Sequence, residues 1–464
     1  MKDFPTRAHL SLQDSQIRRN VHKAVTTIRA KTARAIGERP DWQELRDAGS
    51  AIKAEAMGSL DTLLLQLEQK VTDAGGVVHW ARDAAEARGI IIDLVKQTGS
   101  ATAIKVKSMT TDEIALNPAL EQAGIRPIET DLADMIVQLA HEMPSHLLVP
   151  AIHKNRAEIR SLFQAEMQRP ELTDRPRDLT DAARSYLRQH FTRTKVAISG
   201  ANFAVAETGA VGVVESEGNG RMCLTLPETL ITVMGIEKVL PRWQDLEVFL
   251  QLLPRAATGE RMNPYTSIWT GVTPGDGPSV FHLILLDNGR SKILADRVAR
   301  QTLHCIRCSR CLNVCPVFER AGGHAYDSMY QGPIGAILTP QLRGLDAAGS
   351  LPFASSLCGA CLEACPVQID IPRILVHLRG AVVESHRGKL SAEALAMGAA
   401  AKIFSSAGLF GFAQTAAASM SSVVERNGFL PRLPGLGDWM IARELPAPPQ
   451  QSFRAWWKAR GAKS

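Results

Sequence analysis

No glycine-rich phosphate loop, dinucleotide fingerprint or nucleophile elbow occurs anywhere in the 464 residues. The nearest approach, Gly271-Val272-Thr273-Pro274-Gly275-Asp276-Gly277, has the wrong spacing and carries a proline. The sequence therefore shows no flavin or nicotinamide site that would take a hydride. Residues Met1 to Ala24 are charged throughout and lack an apolar run, so no signal peptide is expected. Only Cys223 lies outside two dense cysteine runs, which excludes a disulfide framework and implies a reducing compartment. A cytoplasmic location is expected, with a peripheral position at the inner face of the cell membrane left open. The net charge of +6 is mild and gives no case for nucleic-acid binding. The one long uncharged stretch, Ile403 to Val424, is mostly Ala, Ser and Gly. It reads as a surface or subunit-contact helix, because leucine-type residues dominate true spans.

What is present is metal-type cysteine usage: seven of eight cysteines in two runs. The first run is Cys305-x-x-Cys308-x-x-Cys311-x-x-x-Cys315-Pro316, the iron–sulfur ligand spacing of bacterial ferredoxins. Two residues between thiolates let a tight loop wrap one corner of a cubane. The longer last gap sends the fourth cysteine to a second cluster. Zinc sites usually pair Cys-x-x-Cys units without this continuation. The second run, Cys358-x-x-Cys361-x-x-x-Cys365-Pro366, has Ser355 where the first has Cys305. Crossed ligation gives one [4Fe–4S] site of Cys305, Cys308, Cys311 and Cys365. The other has Cys315, Cys358 and Cys361 and lacks a fourth thiolate. Its open iron is left to Ser355, water or a partner's side chain, or is absent, giving [3Fe–4S].

The length and pattern predict four regions: helical 1–68, α/β 69–298, a two-cluster ferredoxin region 299–382, and a C-terminal helical and aromatic tail 383–464. Helical spacing marks Gln16 to Ala35 and Ile52 to Gln69, an arm expected to pack on the next domain. Strands are expected at Val77 to Trp80, Ala103 to Val106, His146 to Pro150, Val196 to Ile198, Val211 to Glu215, Leu230 to Met234 and Val280 to Leu286. Thr110-x-x-Glu113 predicts a capping box opening a helix to Glu121. Gly218-Asn219-Gly220-Arg221 predicts a hairpin turn. Alternating strands and helices imply a mainly parallel sheet. Between the cysteine runs, His324 is expected to be a satisfied structural histidine. Helical stretches there favour an α-helical ferredoxin arrangement. Phe453, Trp456 and Trp457 end the chain in a cationic context, expected as a tail docked on its own domain.

Several motifs together resemble the LutB/LldF family, the iron–sulfur subunits of bacterial lactate-utilisation systems. They are Pro144-Ser145-His146, Pro150-Ala151-Ile152-His153-Lys154, Gly200-Ala201-Asn202-Phe203, Glu207-Thr208-Gly209, Gly218-Asn219-Gly220-Arg221, Asp287-Asn288-Gly289-Arg290, His304-Cys305-Ile306-Arg307-Cys308, Gly322-Gly323-His324-Ala325-Tyr326 and Ser355-Ser356-Leu357-Cys358-Gly359-Ala360-Cys361. The resemblance implies a LUD domain similar to the ribose-phosphate isomerase (NagB/RpiA) and CoA-transferase superfold, followed by a ferredoxin domain with two clusters. It implies two sister subunits, a cysteine-rich iron–sulfur protein and a second LUD-domain protein, that together with this chain convert L-lactate to pyruvate. It also implies that the second run's missing thiolate is a family feature. Ser309 stands where the family often has glycine.

The chain is thus expected to be an electron-transfer subunit, inactive alone. Two alternatives stay open. The complex acts on another 2-hydroxy acid such as glycolate, or the α/β domain itself binds a hydroxy acid or an acyl-CoA. For the latter, Arg221, Lys238 and Arg290 are candidates to hold a carboxylate, and Glu207, Glu215 or Glu217 to act as base or nucleophile.

Overall fold

The structure is a computed structural model and describes residues 3–385, 387, 392–431 and 445–461. Its centre is a six-stranded parallel sheet built from runs apolar on both faces, as a sheet covered by helices on both sides requires. The strands are β1 (Val77–Ala81), β2 (Thr102–Lys105), β3 (Arg126–Glu129), β4 (Val196–Gly200), β7 (Thr229–Gly235) and β10 (Val280–Leu286), in the order β1-β10-β7-β4-β2-β3. Successive side chains alternate between faces. In β10, Leu283 and Leu285 join one core, while Ile284 and Leu286 join a second with Ile91, Val196 and Ile231. A smaller sheet, β8-β5-β6-β9, comprises β5 (Phe203–Val205), β6 (Ala210–Glu215), β8 (Val239–Leu240) and β9 (Tyr265–Trp269).

Three sequence expectations need correction. His146 to Pro150 is a turn, not a strand. Thr110 is not a cap: Ser108 caps Met109–Glu113, and left-handed Ala115 separates this from the next helix, Leu116–Gln122. Gly218-Asn219-Gly220 does not close a hairpin but opens the helix Asn219–Thr225. The reason is Glu215, whose carboxylate accepts the N–H groups of Glu217, Gly218 and Arg221 and so satisfies a helix start. Without that distant acceptor in view, Asn-Gly reads as a turn.

Contacts divide the described chain between Val382 and Val383. The first unit joins the α/β domain, the cysteine region and the N-terminal helices around one continuous core, in which Val25 and Phe249 belong with Leu312 and Phe318. The N-terminal helices were expected to pack on the α/β domain, and they also clamp the cysteine region. Arg29 of Ser15–Gly37 bonds Glu319 at 2.8 Å and the Asn313 carbonyl at 3.0 Å. Arg46 of Trp42–Gly58 donates to the carbonyls of Cys365 and Leu362.

In the second unit the uncharged stretch is broken at Ser406, giving Ala392–Ser405 and Ala407–Val424. Among the described residues no single helix is long and apolar enough to cross a membrane, and the two helices pass such a test only as a pair bent by 114°. Phe453, Trp456 and Trp457 pack on one another and are exposed. Most of the proline-punctuated segment between Pro431 and Pro449 lies outside the described residues.

Candidate metal centre

The two cysteine runs fold as copies of one loop, fifty residues apart. In the first, Arg307 and Ser309 are left-handed (φ 63° and 59°), and in the second Leu357 and Gly359 are (φ 56° and 84°). Each loop then enters a short helix, Arg310–Asn313 and Ala360–Ala364. The Arg307 N–H donates to Cys305 Sγ at 3.4 Å, and the Leu357 N–H donates to Ser355 Oγ at 3.1 Å. Serine thus reproduces the local hydrogen bond of the cysteine it replaces. The left-handed turn at Ser309 is one that glycine adopts most readily, as Gly359 does at the matching place in the second run.

The fold sorts the thiols across the two runs. Cys305, Cys308, Cys311 and Cys365 line one small cavity, walled by Ile306, Ile334 and Ile369. Cys308 has Cys365 and Cys305 as its charged neighbours. Cys361 has Cys315 and Cys358. Cys311 also lies within electrostatic reach of Cys361, so the two groups adjoin. Among the described residues no three His, Cys, Asp or Glu side chains converge as a single ion requires. Four thiols around a shared space instead suit a polynuclear cluster. Amide donors point at the sulfurs: Phe318 N–H to Cys315 at 3.5 Å and Ile369 N–H to Cys365 at 3.3 Å. Burial pushes the Cys365 thiol up to about 11 and Cys361 to about 12, so metal uptake must release protons.

A buried ionic network backs the first group. Arg290 is bidentate to Glu113, at 2.9 and 2.8 Å, and also pairs with Glu237. Glu237 accepts from Arg307 at 3.0 Å, and Tyr330 bonds Glu113 while its ring stacks under Arg307. The Lys53 ammonium, from the N-terminal helices, donates to the Glu237 carbonyl. Burial alone would raise the Glu237 carboxyl, but Arg290, Arg307 and Lys238 hold it at about 2. Burial depresses Lys53 to about 7, and burial with Arg307 depresses Lys238 to about 8. Arg290, Arg307 and Lys238 outnumber the two carboxylates, and Cys305 lies within reach of Lys53, Lys238 and Arg307. A positive surplus there offsets thiolate charge and favours a reduced cluster.

A second cavity, of about 200 Å³, opens where the parallel strands end. Ser108 beyond β2, Asp131 beyond β3, Asn202 beyond β4 and Lys238 beyond β7 line it. Such strand ends are the usual ligand position in α/β folds. Arg307 lines this cavity as well as the thiol cavity, and so forms the wall between them. Of the catalytic candidates, Lys238, Glu215 and Glu217 border the cavity. Arg290 does not reach it, being fully buried and neutralised by Glu113 and Glu237. Arg221 packs on Tyr265 and bonds Ser267. Glu207 accepts the Trp243 N–H at the start of the helix Trp243–Ala257. His324 bonds the Met143 carbonyl at 2.8 Å, a structural role. Cys223 is buried beside the Thr130 hydroxyl. Sequence reasoning missed Arg307, Glu113 and Lys53 as site residues. The available signal was an arginine between two ligand cysteines.

Three family models match the chain: LUD domain over residues 64–285, 4Fe-4S dicluster domain over 301–369, and Lactate utilisation protein B, C-terminal, over 377–462. Lactate utilization protein B of Oceanobacillus iheyensis is 41% identical, covering 98% of this chain and 96% of its own. Lactate utilization protein B 1 of Bacillus mycoides is also 41% identical, over 98% of this chain and 95% of its own. A solved DUF162 family protein from Deinococcus radiodurans covers 49% of this chain and 98% of its own at 14% identity, with a TM-score of 0.28, too remote to argue from.

Proposed function

The chain belongs to the lactate utilisation protein B family, an iron–sulfur component of lactate utilisation, and from that premise we propose that it is the electron-transfer subunit of a multi-subunit complex oxidising L-lactate to pyruvate. In this reading Cys305, Cys308, Cys311 and Cys365 hold a [4Fe–4S] cluster. Cys315, Cys358 and Cys361 hold the second, with the corner near Ser355 filled by a non-thiolate ligand or missing its iron. When bound, the clusters supply one-electron transfer, and lactate oxidation releases two electrons and two protons. The sisters are a cysteine-rich iron–sulfur protein and a second LUD-domain protein, in a reducing, cytoplasmic compartment.

The observation that carries this reading is the sorting of seven thiols into two adjoining groups, one deep and one open at Cys358. The chain's own residues insulate the deep group and supply N–H donors and cations around it. The sequence carries no flavin or nicotinamide fingerprint, and in this reading the isolated protein should not turn over. The test is anaerobic reduction of the clusters by L-lactate, followed optically, first with the chain alone and then with both sisters. Reduction only with the sisters is the expected result. Reduction by the chain alone overturns it and makes the α/β domain the oxidation site. A parallel arm with glycolate identifies the acid.

A further inference from the structure

Beyond the electron-transfer reading, we propose that the cavity at the ends of β2, β3, β4 and β7 binds a small organic monocarboxylate, held by Lys238 and Arg307 against the wall of the Cys305 site. Two cations there, both near Glu237, keep donors without hydrogen-bond partners. Lys238 is only 7% exposed, and among the described residues neither a hydrogen bond nor an ion pair engages its ammonium. Arg307 is 9% exposed; its Nη2 is committed to Glu237, but its buried Nη1 has no partner. Leaving a buried donor unpaired is costly; Lys238 borders the cavity, and a small turn of the guanidinium would bring Arg307 Nη1 onto an anion held there.

The size and polarity of the cavity narrow the ligand. About 200 Å³ is room for about seven waters, below the roughly 300–1,000 Å³ of drug-sized sites. Of a coenzyme A ester, the cavity has room for the acyl end only. Lys238 marks one end of the cavity, at β7; at the other, Asp131 and Glu217 stand beyond β3 and β6, with Lys107 beyond β2 beside them, its ammonium on the Leu148 carbonyl and near Asp134. β3 and β7 are three strand spacings apart, roughly 14 Å. Glu217 as a whole is exposed, but its carboxyl turns inward onto the Leu132 N–H, where burial and Asp131 push it up to about 7. A second carboxylate would meet two carboxylates there, against one cation already held by Asp134 and the Leu148 carbonyl. Asn263 also lines the cavity, and its amide oxygen, buried without a partner, would accept from a ligand hydroxyl once the side chain turned toward it. The charge pattern alone gives a monocarboxylate; narrowing it to a 2-hydroxy or 2-oxo acid rests on the lactate reading.

The test is anaerobic calorimetry on the full, cluster-loaded chain without its sisters, using L-lactate, pyruvate, propionate and succinate. Saturable one-to-one binding of the monocarboxylates is expected, with succinate weaker. Lys238→Met should weaken it by about tenfold or more, the loss of a charged hydrogen bond, and Lys238→Arg should restore most of it. An intact spectrum of both clusters in the variants certifies their folding. Asn263→Leu, in a half-exposed loop, should weaken lactate and leave propionate unchanged. No saturable binding to the wild-type chain, equal binding by Lys238→Met, or succinate binding as tightly as lactate overturns the proposal. Because no turnover is read, failure of lactate to reduce the clusters with sisters present would sink the electron-transfer reading and leave this one standing.

Discussion

Cys308 and Cys358 occupy the same place in two copies of one loop, yet the first is buried and the second exposed. The backbone turns are shared, as are the short helices and the N–H bond to residue 305 or 355. What differs is the packing. The first loop is pressed between the α/β domain, the N-terminal helices and the Glu113–Arg290–Glu237–Arg307 network. The second has Phe353, Leu357 and Cys358 at the surface. A repeated loop therefore yields two sites of different character, one insulated beside a cavity and one open at the surface. The difference is made by residues far from either loop.

The largest expected effect falls on cluster content. Anaerobic protein should hold about seven to eight irons per chain, four in the deep site and three or four in the open one. Ser355→Cys should fix the upper figure, because a fourth thiolate retains the labile iron. Iron and sulfide analysis checks both, and zinc without iron would contradict the account. Next in size is the network behind the deep loop. Arg290→Met leaves the buried Glu113 without its cation and Glu237 with Arg307 alone, and should cost about 3–5 kcal/mol, read as a lower urea midpoint. A network that contributes nothing to the deep site would leave the midpoint unchanged.

Acid should also weaken the support of the first loop. His146 is fully buried; its Nε2 faces Asn313 Oδ1 at 3.2 Å, while Nδ1 accepts the N–H groups of Leu148 and Val149. Burial pulls it down to about 4 from 6.5, and an added proton would have no acceptor. Because the unfolded chain binds that proton first, this stability is present above pH 6.5 and lost as pH falls toward 4. About 2 kcal/mol should disappear between pH 7.5 and 5, and His146→Gln should flatten that slope in urea titrations. The smallest effect is at Ser309, whose left-handed turn carries a buried hydroxyl without a partner. Ser309→Gly should stabilise by about 1 kcal/mol, a rise in the same midpoint, and make the two loops more alike.

The cysteines were legible as candidate ligands because their spacing is local, and the fold gathers Cys305, Cys308, Cys311 and Cys365 around one cavity as the crossed pairing expects. The parallel sheet was legible because both-face burial writes continuous apolar strands such as Val280 to Leu286. Glu113 was misread because a capping pattern and a buried ion-pair partner look alike until Arg290, far along the chain, is in place. Asn219-Gly220 was misread for the same reason, through Glu215. The catalytic candidates Arg290 and Arg221 were chosen as strand-end cations, and sequence does not say which cation is already neutralised. The role of the N-terminal helices in clamping Cys365 rests on Arg46, a contact across more than three hundred residues.

Crossed ligation is the claim on which the comparison stands, and cysteine substitution with electron paramagnetic resonance tests it most directly. Cys365→Ser should abolish the same cluster signal as Cys308→Ser, although it lies in the other run. Cys315→Ser should abolish the signal that depends on Cys358 and Cys361, which is also the one that yields a three-iron species on mild oxidation. If Cys365→Ser and Cys358→Ser remove one signal while Cys308→Ser and Cys315→Ser remove the other, each run holds its own cluster and the account is wrong.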